Sequence, residues 1–377
     1  MTGDSVEGLL RAIAEEFGRR PEVLAVALGG SRGAGADDSE SDCDLYVYAV
    51  RDLPVPFRRA LAGPSGEVGN RFWEHGDEWI DDATGARIDV MYRSPGWIED
   101  RLDQVLTRFE ASLGYTTCFW FNVLHSTPLA DPRGWYGQLR QRATVPYPAP
   151  LRRAIIDRNL PVVGRNQSCY RRQIELALAR NDAVSVNHRV TALLASVFDI
   201  WFAAEEKPHP GEKRLLTHLP PDWAAAVRAV IASPALAAID HLIDLAEAAA
   251  ARVPPIAPSL EHVALYVSDL ERSRAFFERW FGAVAGPRYD SRVRPFASYF
   301  LTLAGGPRLE IMSSPVESPR PAHLAVCVGS RESVDALTRR MAAAGAPLLS
   351  APRTTGDGCY ESVVADPDGN PIEITAG

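Results

Sequence analysis

The sequence predicts an α+β protein built from several domains. The chain has 377 residues, which is more than a single hydrophobic core usually serves. Two proline-rich stretches divide it, the region between them reads as helical and is rich in alanine and leucine, and one strand pattern occurs twice near the end. We therefore predict a mixed sheet with helices in residues 1–145, a helical bundle in 146–253, a linker in 254–258 and a duplicated strand domain in 259–377.

The N-terminal region begins with the pattern of an amphipathic helix. Leu9, Leu10, Ile13 and Phe17 recur at helical spacing within residues 5–19. Short apolar segments bounded by glycine and polar residues follow, as expected for strands. The predicted strands are 23–28, 44–50 and those of a hairpin-like region at 71–92.

A glycine turn, Gly29-Gly30-Ser31-Arg32, follows the first apolar strand. Glycines let backbone N–H groups approach a phosphate closely, and the serine hydroxyl adds a donor. Asp42 and Asp44 alternate along the next strand, so they face the same side. Paired carboxylates repel each other unless a cation lies between them, and Mg²⁺ with triphosphate oxygens suits that position. Asp89, flanked by apolar residues on a neighbouring strand, could supply a third carboxylate.

This constellation resembles the DNA polymerase β-like nucleotidyltransferase superfamily, in particular the aminoglycoside and lincosamide nucleotidyltransferases of antibiotic resistance. The resemblance implies that Asp42 and Asp44 bind Mg²⁺, and that Asp89 is a third ligand or the base that deprotonates the acceptor. The reaction would transfer a nucleoside monophosphate from an NTP, with ATP expected, to a small-molecule hydroxyl. The predicted nucleotide-binding residues are Gly29, Gly30, Ser31, Arg32 and Lys213.

Lys213 is singled out by the composition of the chain. Lys207 and Lys213 are the only lysines in a sequence that otherwise uses arginine. A compact ammonium group suits phosphate, so a phosphate contact is one explanation of Lys213 and chance is the other. The surrounding segment, residues 210–214, is similar to a loop that some nucleotidyltransferases place near the triphosphate.

The C-terminal region contains one His/Glu pattern twice. His262 and His323 each open an alternating apolar run and lie 61 residues apart, and Glu310 and Glu373 lie in later short strands 63 residues apart. If the two copies pair across a pseudo-twofold axis, all four side chains converge. Two imidazoles and two carboxylates suit a divalent first-row metal with positions left open for water.

Residues 259–377 resemble the vicinal oxygen chelate superfamily, which includes glyoxalase I and the bleomycin-resistance proteins. The segments that carry the resemblance are HVALYVSDLERSRAFFERWFGA, YFLTLAGGPRLEIM, AHLAVCVGS and PRTTGDGCYESVVADPDGNPIEIT. It implies two paired βαβββ modules that form a cup-shaped sheet around Ni²⁺, Zn²⁺, Co²⁺, Mn²⁺ or Fe²⁺. It further implies glyoxalase-I-like lyase or isomerase chemistry, with Glu373 favoured over Glu310 as the catalytic base, and a homodimer.

Charge and composition narrow the partners. A net charge of −8 argues against nucleic acid, which requires a basic face, and leaves small molecules as the expected substrates. Neither an apolar run long enough for a membrane span nor a signal peptide is recognisable. Five widely spaced cysteines without a CxxC motif suit a reducing cytoplasm.

Three functional hypotheses remain open from the sequence. The first is a bifunctional enzyme with a nucleotidyltransferase and a metal-dependent lyase or isomerase in one chain. In the second, only the nucleotidyltransferase is catalytic, and the C-terminal domain binds a small molecule or drives dimerisation. In the third, the protein is a sensor in which neither site turns over. The complete residue set of each site favours the first hypothesis.

Overall fold

The computed structural model describes residues 3–30, 42–72, 74–291, 296–303, 307–313, 321–365 and 371–376. The chain divides into two compact units. The first unit comprises Met1–Phe109, Leu113–Pro148 and Glu205–Ala238, and the second comprises Glu110–Ser112, Ala149–Ala204 and Ile239–Gly377. The segment Glu205–Ala238, which the sequence places in the helical domain, thus clusters with the N-terminal sheet.

The first unit is built on a mixed, six-stranded sheet in the order β3-β4-β5-β2-β1-β6. Strands β2 and β5 run parallel, whereas the other neighbours are antiparallel. Its elements are α1 (Gly3–Gly18), β1 (Val23–Leu28), β2 (Cys43–Ala49), α2 (Val55–Ala62), β3 (Glu67–Asn70), β4 (Gly76–Ile80), β5 (Arg87–Arg93), α3 (Pro95–Leu106), α4 (Cys118–His125), β6 (Thr127–Ala130), α5 (Trp135–Ala143), a 3₁₀ turn (Leu215–His218) and α9 (Pro221–Ala232).

Helix α1 packs through the apolar stripe that the sequence predicts. Leu10, Ile13 and Phe17 are buried and join the core formed by β1 and β2. Residues three and four apart lie on one face of a helix, so this spacing directs all three side chains towards the sheet.

A buried ion pair joins α2 to the hairpin of β3 and β4. Arg58 Nε donates to Asp77 Oδ2 at 2.9 Å, and the Tyr92 hydroxyl donates to the same oxygen at 2.6 Å. The Gly69 N–H donates to Asp77 Oδ1 at 2.8 Å. Burial alone would raise the pKa of Asp77, but the hydrogen bonds from Arg58 and Tyr92 outweigh it and lower that pKa.

We expect Asp77→Ala to lower the free energy of unfolding by about 3–5 kcal/mol, because it leaves the Arg58 guanidinium buried without its counter-charge. Urea denaturation measures this change, and the exposed Asp82→Ala should shift it by less than about 0.5 kcal/mol. Because folding lowers the pKa of Asp77, the stabilisation from this pair should be lost as the pH falls through that pKa. Equal stability of the two variants would contradict the assignment.

Helices form the first part of the second unit. They are α6 (Ala149–Val163), α7 (Tyr170–Ala179), α8 (Ala183–Ala204) and α10 (Leu236–Ala251). The first three residues of α10 belong to the first unit. Helix α8 buries Phe198, Trp201 and Phe202 among its apolar side chains. Within the part of the chain that the structure describes, no helix combines the length and apolarity needed to cross a membrane.

A second sheet follows in the order β13-β14-β15-β12-β7-β11-β10-β8, with β9 paired to β10. Its elements are β7 (Ser259–Val267), α11 (Leu270–Phe281), β8 (Val284–Ala285), β9 (Tyr289–Asp290), β10 (Ala297–Thr302), β11 (Arg308–Ser313), β12 (Pro321–Cys327), α12 (Arg331–Ala343), β13 (Leu348–Thr354), β14 (Tyr360–Ala365) and β15 (Pro371–Thr375). Strands β7 and β12 pair antiparallel at the centre, and each has the last strand of its own module parallel to it. The predicted duplication is confirmed.

Successive side chains on the strands of each module face opposite sides of the second sheet, one towards an apolar core and the other away from it. Leu309 and Ile311 pack in a cluster with Phe277 of α11, and Ile374 packs in a cluster with Val334 of α12. Side chains alternate between the two faces of a strand, so the glutamate beside these residues in each module points to the other face. The sheet is therefore apolar where it meets its helices and polar where the site lies.

Candidate metal centre and carboxylate cluster

The four predicted metal ligands meet at the centre of the second sheet. His262 Nε2 lies 2.6 Å from His323 Nε2 and 3.7 Å from Glu310 Oε2. Glu373 Oε2 lies 3.1 Å from His323 Nε2. Among the described residues, His262, Glu310 and His323 bring their ligand atoms within 4.8 Å of one another, and Glu373 borders this group.

A β-bulge in β7 changes which residues of that strand face the site. Ala325 of β12 pairs with His262, while the next residue, Val326, pairs with Leu260. Glu261 is therefore an extra residue on β7, and an extra residue allows neighbouring side chains to lie on the same face. Both Glu261 and His262 consequently line the cleft.

Strand β12 has a matching irregularity beside its own histidine. Pro321 pairs with Leu265 and Leu324 pairs with Val263, so β12 advances by one residue more than β7 over this stretch. The extra residue lies between Pro321 and Leu324, in the stretch that contains His323. The two modules thus share a local distortion of the backbone at the position of each histidine, in addition to the histidine itself.

Glu261 and Arg308 fix the orientation of the His262 ring. The Nδ1 atom of His262 forms a short hydrogen bond with Glu261, and Arg308 Nε donates to the other Glu261 oxygen at 2.6 Å. Burial acts to raise the pKa of Glu261, but the bond with His262 and the charge of Arg308 lower it overall. With Nδ1 held by a carboxylate, the Nε2 lone pair is free to bind a metal.

Glu261 is a site residue that the sequence pattern does not predict. Strict alternation would place Glu261 on the face of β7 opposite to His262. The sequence beside His262 contains no glycine or turn residue that would indicate a bulge. The acidic residue directly before His262 is the signal that could have drawn attention to it.

The two glutamates of the site have different neighbours. Ser298 occupies the strand position beside Glu310 that Glu361 occupies beside Glu373. Burial raises the pKa of Glu310, and a hydrogen bond from Ser298 opposes this shift. Burial and the hydrogen bond with Glu361 raise the pKa of Glu373. Sequence duplication therefore ends in two chemically distinct carboxyl groups.

The imidazole of His323 favours its neutral form. Burial, and then the neighbouring His262, lower the pKa of His323 to about 4. A neutral imidazole offers the lone pair that a metal ion requires. The four side chains border a cleft of about 640 Å³, a volume that suits a small molecule. Its other lining residues include Tyr266, Tyr289, Phe296, Phe300, Met312 and Arg353.

A row of carboxylates crosses the first sheet. Asp44 of β2 and Glu78 of β4 each pair with Asp89, which lies on the strand between them. Burial, followed by the charges of Glu78, Asp44 and Asp42, raises the pKa of Asp89 to about 6. Burial also raises the pKa of Asp44, and the positive charge of Lys213 acts against that shift.

The carboxylate row contains one residue that the sequence analysis missed and lacks the tight geometry of the metal centre. Glu78 joins the row through the register of β4 and β5, which the sequence does not reveal. Asp42, directly before β2, has a side chain that is 40% exposed, and Arg87 Nε lies 3.8 Å from its Oδ1. In the described part of the first unit, no three acidic, histidine or cysteine side chains gather their ligand atoms within 4.8 Å.

The predicted glycine turn packs directly against these strands. The Gly29 N–H donates to the Asp44 carbonyl oxygen at 2.8 Å. A Cβ atom at Gly29 would lie 2.1 Å from the Tyr46 ring, and one at Gly30, whose φ is +60°, would lie 1.7 Å from Asp44 Oδ2. No larger residue fits either position without displacing these neighbours. The predicted nucleotide-binding residues Ser31 and Arg32 lie outside the described residues.

Comparison with solved structures finds chains that resemble the C-terminal third. Methylmalonyl-CoA epimerase from Mycobacterium tuberculosis is 20% identical, with coverage of 31% of this chain and 86% of that chain and a TM-score of 0.28. A hypothetical protein from Bacillus halodurans is 14% identical, with coverage of 32% and 94% and a TM-score of 0.28. A variant of Streptomyces coelicolor methylmalonyl-CoA epimerase in complex with 2-nitronate-propionyl-CoA is 18% identical, with coverage of 31% and 95% and a TM-score of 0.27.

A search of curated proteins finds no match to this chain. Residues 259–374 match the family model of the Glyoxalase/Bleomycin resistance protein/Dioxygenase superfamily. This match confirms the predicted resemblance of the C-terminal region, whereas the resemblance of the N-terminal region to nucleotidyltransferases stays a prediction. The C-terminal third of the chain is thus a domain of the glyoxalase superfamily.

Proposed function

We propose that the C-terminal domain is a metal-dependent isomerase or lyase that removes a proton from a carbon next to a carbonyl group. The observation that carries this proposal is the meeting of His262, Glu310, His323 and Glu373 at the centre of the sheet. The donor set fits a divalent first-row metal, because Glu261 holds Nδ1 of His262 and both rings offer Nε2. Such a metal, when bound, polarises vicinal oxygens of a substrate and acidifies the adjacent C–H bond.

Glu373 is the residue suited to move the proton. Its carboxyl group lies beside His323 at the border of the ligand group, and its buried position next to Glu361 favours the protonated form after transfer. Glu310 has the Ser298 hydroxyl in place of a second carboxyl group, which suits a permanent ligand. The proposed division of labour assigns proton transfer to Glu373 and metal binding to both histidines and Glu310.

Deuterium exchange tests this proposal. The full chain, loaded in turn with Ni²⁺, Co²⁺, Zn²⁺, Mn²⁺ or Fe²⁺, would be incubated in D₂O with 2-hydroxycarbonyl compounds and hemithioacetals, and incorporation at carbon followed by NMR. We expect exchange with at least one metal in the wild-type protein and none in Glu373→Gln. Exchange that survives in Glu373→Gln would overturn the assignment of the base. The absence of exchange with every metal and compound would favour a domain that only binds a ligand.

We also propose that the first unit transfers a nucleoside monophosphate, from ATP as the expected donor, to a hydroxyl group of a small molecule. The supporting observation is the pairing of Asp44 with Asp89 beside the Gly29-Gly30 turn and within electrostatic reach of Lys213. Mg²⁺ held by these carboxylates supplies charge stabilisation for the attacking and leaving oxygens. Asp89, whose pKa burial and neighbouring carboxylates raise to about 6, is suited to accept the proton of the acceptor.

A screen of nucleotides and acceptor alcohols tests nucleotidyl transfer. Mass spectrometry would detect an acceptor that gains a nucleoside monophosphate, with wild type and Asp44→Ala assayed in parallel. The expected result is a product formed by the wild-type protein alone. A product formed equally by both proteins would exclude this site.

In the alternative function, the C-terminal domain only binds a small molecule or drives dimerisation, and two measurements test it. We propose a homodimer formed at least partly through residues 259–377, and light scattering of the full chain tests it. Metal content separates the alternatives further, since a purely structural domain has no need for a four-donor site. Full-length protein that takes up no transition metal would favour the alternative.

Glu261→Gln is expected to weaken metal binding about 10–100-fold, because the carboxylate that orients the His262 ring is lost while its shape is kept. Competition with a chromophoric chelator measures the affinity. Glu278, which is exposed on α11 and away from the lining of the cleft, provides the matched control Glu278→Gln. An unchanged affinity in Glu261→Gln would show that the hydrogen bond to Nδ1 has no role in metal binding.

A further inference from the structure

A buried histidine anchors the segment that carries both lysines of the chain. His209 is fully buried. Its backbone N–H donates to Thr117 Oγ1 at 2.7 Å, and its Nδ1 accepts from the Gly211 N–H at 3.1 Å. The ring centroid lies 5.1 Å from that of Tyr115, and Nδ1 lies 3.7 Å from Cys118 Sγ. The backbone and the ring of one residue thus tie the segment to the start of α4, and the ring also closes the turn at Gly211.

The backbone on both sides of His209 is held in conformations that are unfavourable for most residues. Glu206 has a φ of 55° and Arg214 a φ of 58°, and Gly211 between them has a φ of 102°. Left-handed conformations at non-glycine residues cost free energy and persist only where the surroundings hold them. His209 is the buried contact between these positions, so its interactions maintain the shape of the segment.

The shape of this segment determines where Lys213 lies. Lys213 is exposed, and its charge acts on the carboxylate of Asp44. The Nδ1 atom of His209 can accept the Gly211 N–H only in its unprotonated state. Burial and the nearby His218 lower the pKa of His209 to about 4, so the acceptor persists at neutral pH.

We propose that His209 is a positioning residue that fixes the segment carrying Lys213, so that the ammonium group of Lys213 is held where it meets a phosphate of the nucleotide. This inference rests on the proposed nucleotidyl transfer for the ligand of Lys213. The anchoring itself is independent of any ligand. A structural role confined to the core would stabilise the fold without changing the position of Lys213, and this difference can be measured.

The composition of the chain provides a direct probe of the segment. Lys207 and Lys213 are the only lysines, so a lysine-specific endoprotease has two candidate bonds in the chain, one after each lysine. The masses of the products distinguish the two cuts, so the protease reports separately on the accessibility of the bond after Lys213 in the native full chain. The comparison uses wild type, His209→Phe, His209→Asn and the exposed control His188→Phe on α8.

We expect cleavage after Lys213 to be about tenfold faster in His209→Phe, because the loss of a buried hydrogen bond raises the population of the open segment. His209→Asn should restore slow cleavage, since its side-chain oxygen can accept the Gly211 N–H. Thermal unfolding of each variant identifies any general loss of the fold. Cleavage at the wild-type rate in a folded His209→Phe variant would overturn the anchoring role, as would fast cleavage in a folded His209→Asn variant.

Mg-ATP binding, measured by calorimetry, tests the link to Lys213. His209→Phe should weaken binding about tenfold, and it should have no further effect in a Lys213→Ala background, because both changes remove the same charged contact. Additive losses would overturn the inference that His209 acts through Lys213. If the wild-type protein neither binds Mg-ATP nor is protected by it from cleavage, the phosphate role fails with the proposed nucleotidyl transfer, while the cleavage rates still decide the anchoring role.

Discussion

Replacing His323 with alanine is expected to strip the transition metal from the C-terminal domain and to abolish proton exchange. Its Nε2 atom lies 2.6 Å from the nitrogen of His262 and 3.1 Å from a Glu373 oxygen, so it occupies the middle of the donor set. Removing one of four donors from a site of this size should leave less than about a tenth of the metal after dialysis. Elemental analysis of the full-length variant measures the metal bound per chain, and His262→Ala should behave in the same way.

Two further variants separate the loss of the metal from the loss of the base and from an unspecific effect of replacing a histidine. Glu373→Gln should lose proton exchange but only part of its metal, because the histidines and Glu310 remain. His241→Ala, at an exposed position on α10, should keep both. If His262→Ala and His323→Ala retained full metal content, the metal centre assigned to the duplicated motif would have to be abandoned.

Asp44→Asn is expected to reduce nucleotidyl transfer by at least about a hundredfold, because a metal ligand is lost while the side-chain shape is kept. Pyrophosphate release measures the rate, and unchanged thermal unfolding would show that the fold survives. Asp42→Asn and Asp89→Asn should be comparably severe, whereas Asp52→Asn, at an exposed loop position, should be neutral. More than about a tenth of the wild-type rate in Asp44→Asn would exclude the carboxylate row as the catalytic centre.

The dependence on pH separates the two possible roles of Asp89. Only the carboxylate form accepts a proton, so a base at this position makes the rate fall as the pH decreases through its pKa, which lies near about 6. A purely ligating Asp89 would instead give a pH dependence that changes with the identity and concentration of the metal. Rate profiles at saturating Mg²⁺ and at saturating Mn²⁺ distinguish the two roles.

Periodicity made much of the fold and the C-terminal centre predictable. The alternation after His262 and His323, and the matching distances to Glu310 and Glu373, indicate paired modules and a shared site. In the structure, the same alternation places apolar side chains of β11 and β15 against the helices of their modules. Periods of this kind are local in the sequence, and they directly reflect the geometry of a strand.

What the sequence did not reveal depends on register and on distant segments. Glu261 faces the site because of a bulge, and Glu78 joins the carboxylate row because of how two strands pair. Ser298 and Glu361 hold equivalent positions beside Glu310 and Glu373, and this equivalence follows from the strand pairing of each module. Such relations depend on long-range contacts that a single sequence does not encode as a local pattern.

The passage of the chain through the two units has a consequence for its synthesis. Residues 149–204, which belong to the second unit, are synthesised before Glu205–Ala238, which belongs to the first. At about 5–20 residues per second, a ribosome that has finished the N-terminal sheet needs roughly 5–20 s more to deliver the segment with Lys213. A fragment that ends at Pro148 would therefore contain the carboxylate row but not Lys213.

A fragment that begins after the proline-rich linker contains only part of the second unit. It contains the second sheet but loses α6, whose Asp157 accepts hydrogen bonds from the hydroxyl groups of Ser330 at 3.4 Å and Ser333 at 3.3 Å. The six strands of the N-terminal sheet are complete while the helices of the second unit emerge, but the segment with Lys213 is still to be made. The residues of the proposed nucleotidyl-transfer site are therefore encoded in two separated stretches of the gene, whereas the four metal ligands of the second sheet are encoded in one uninterrupted stretch.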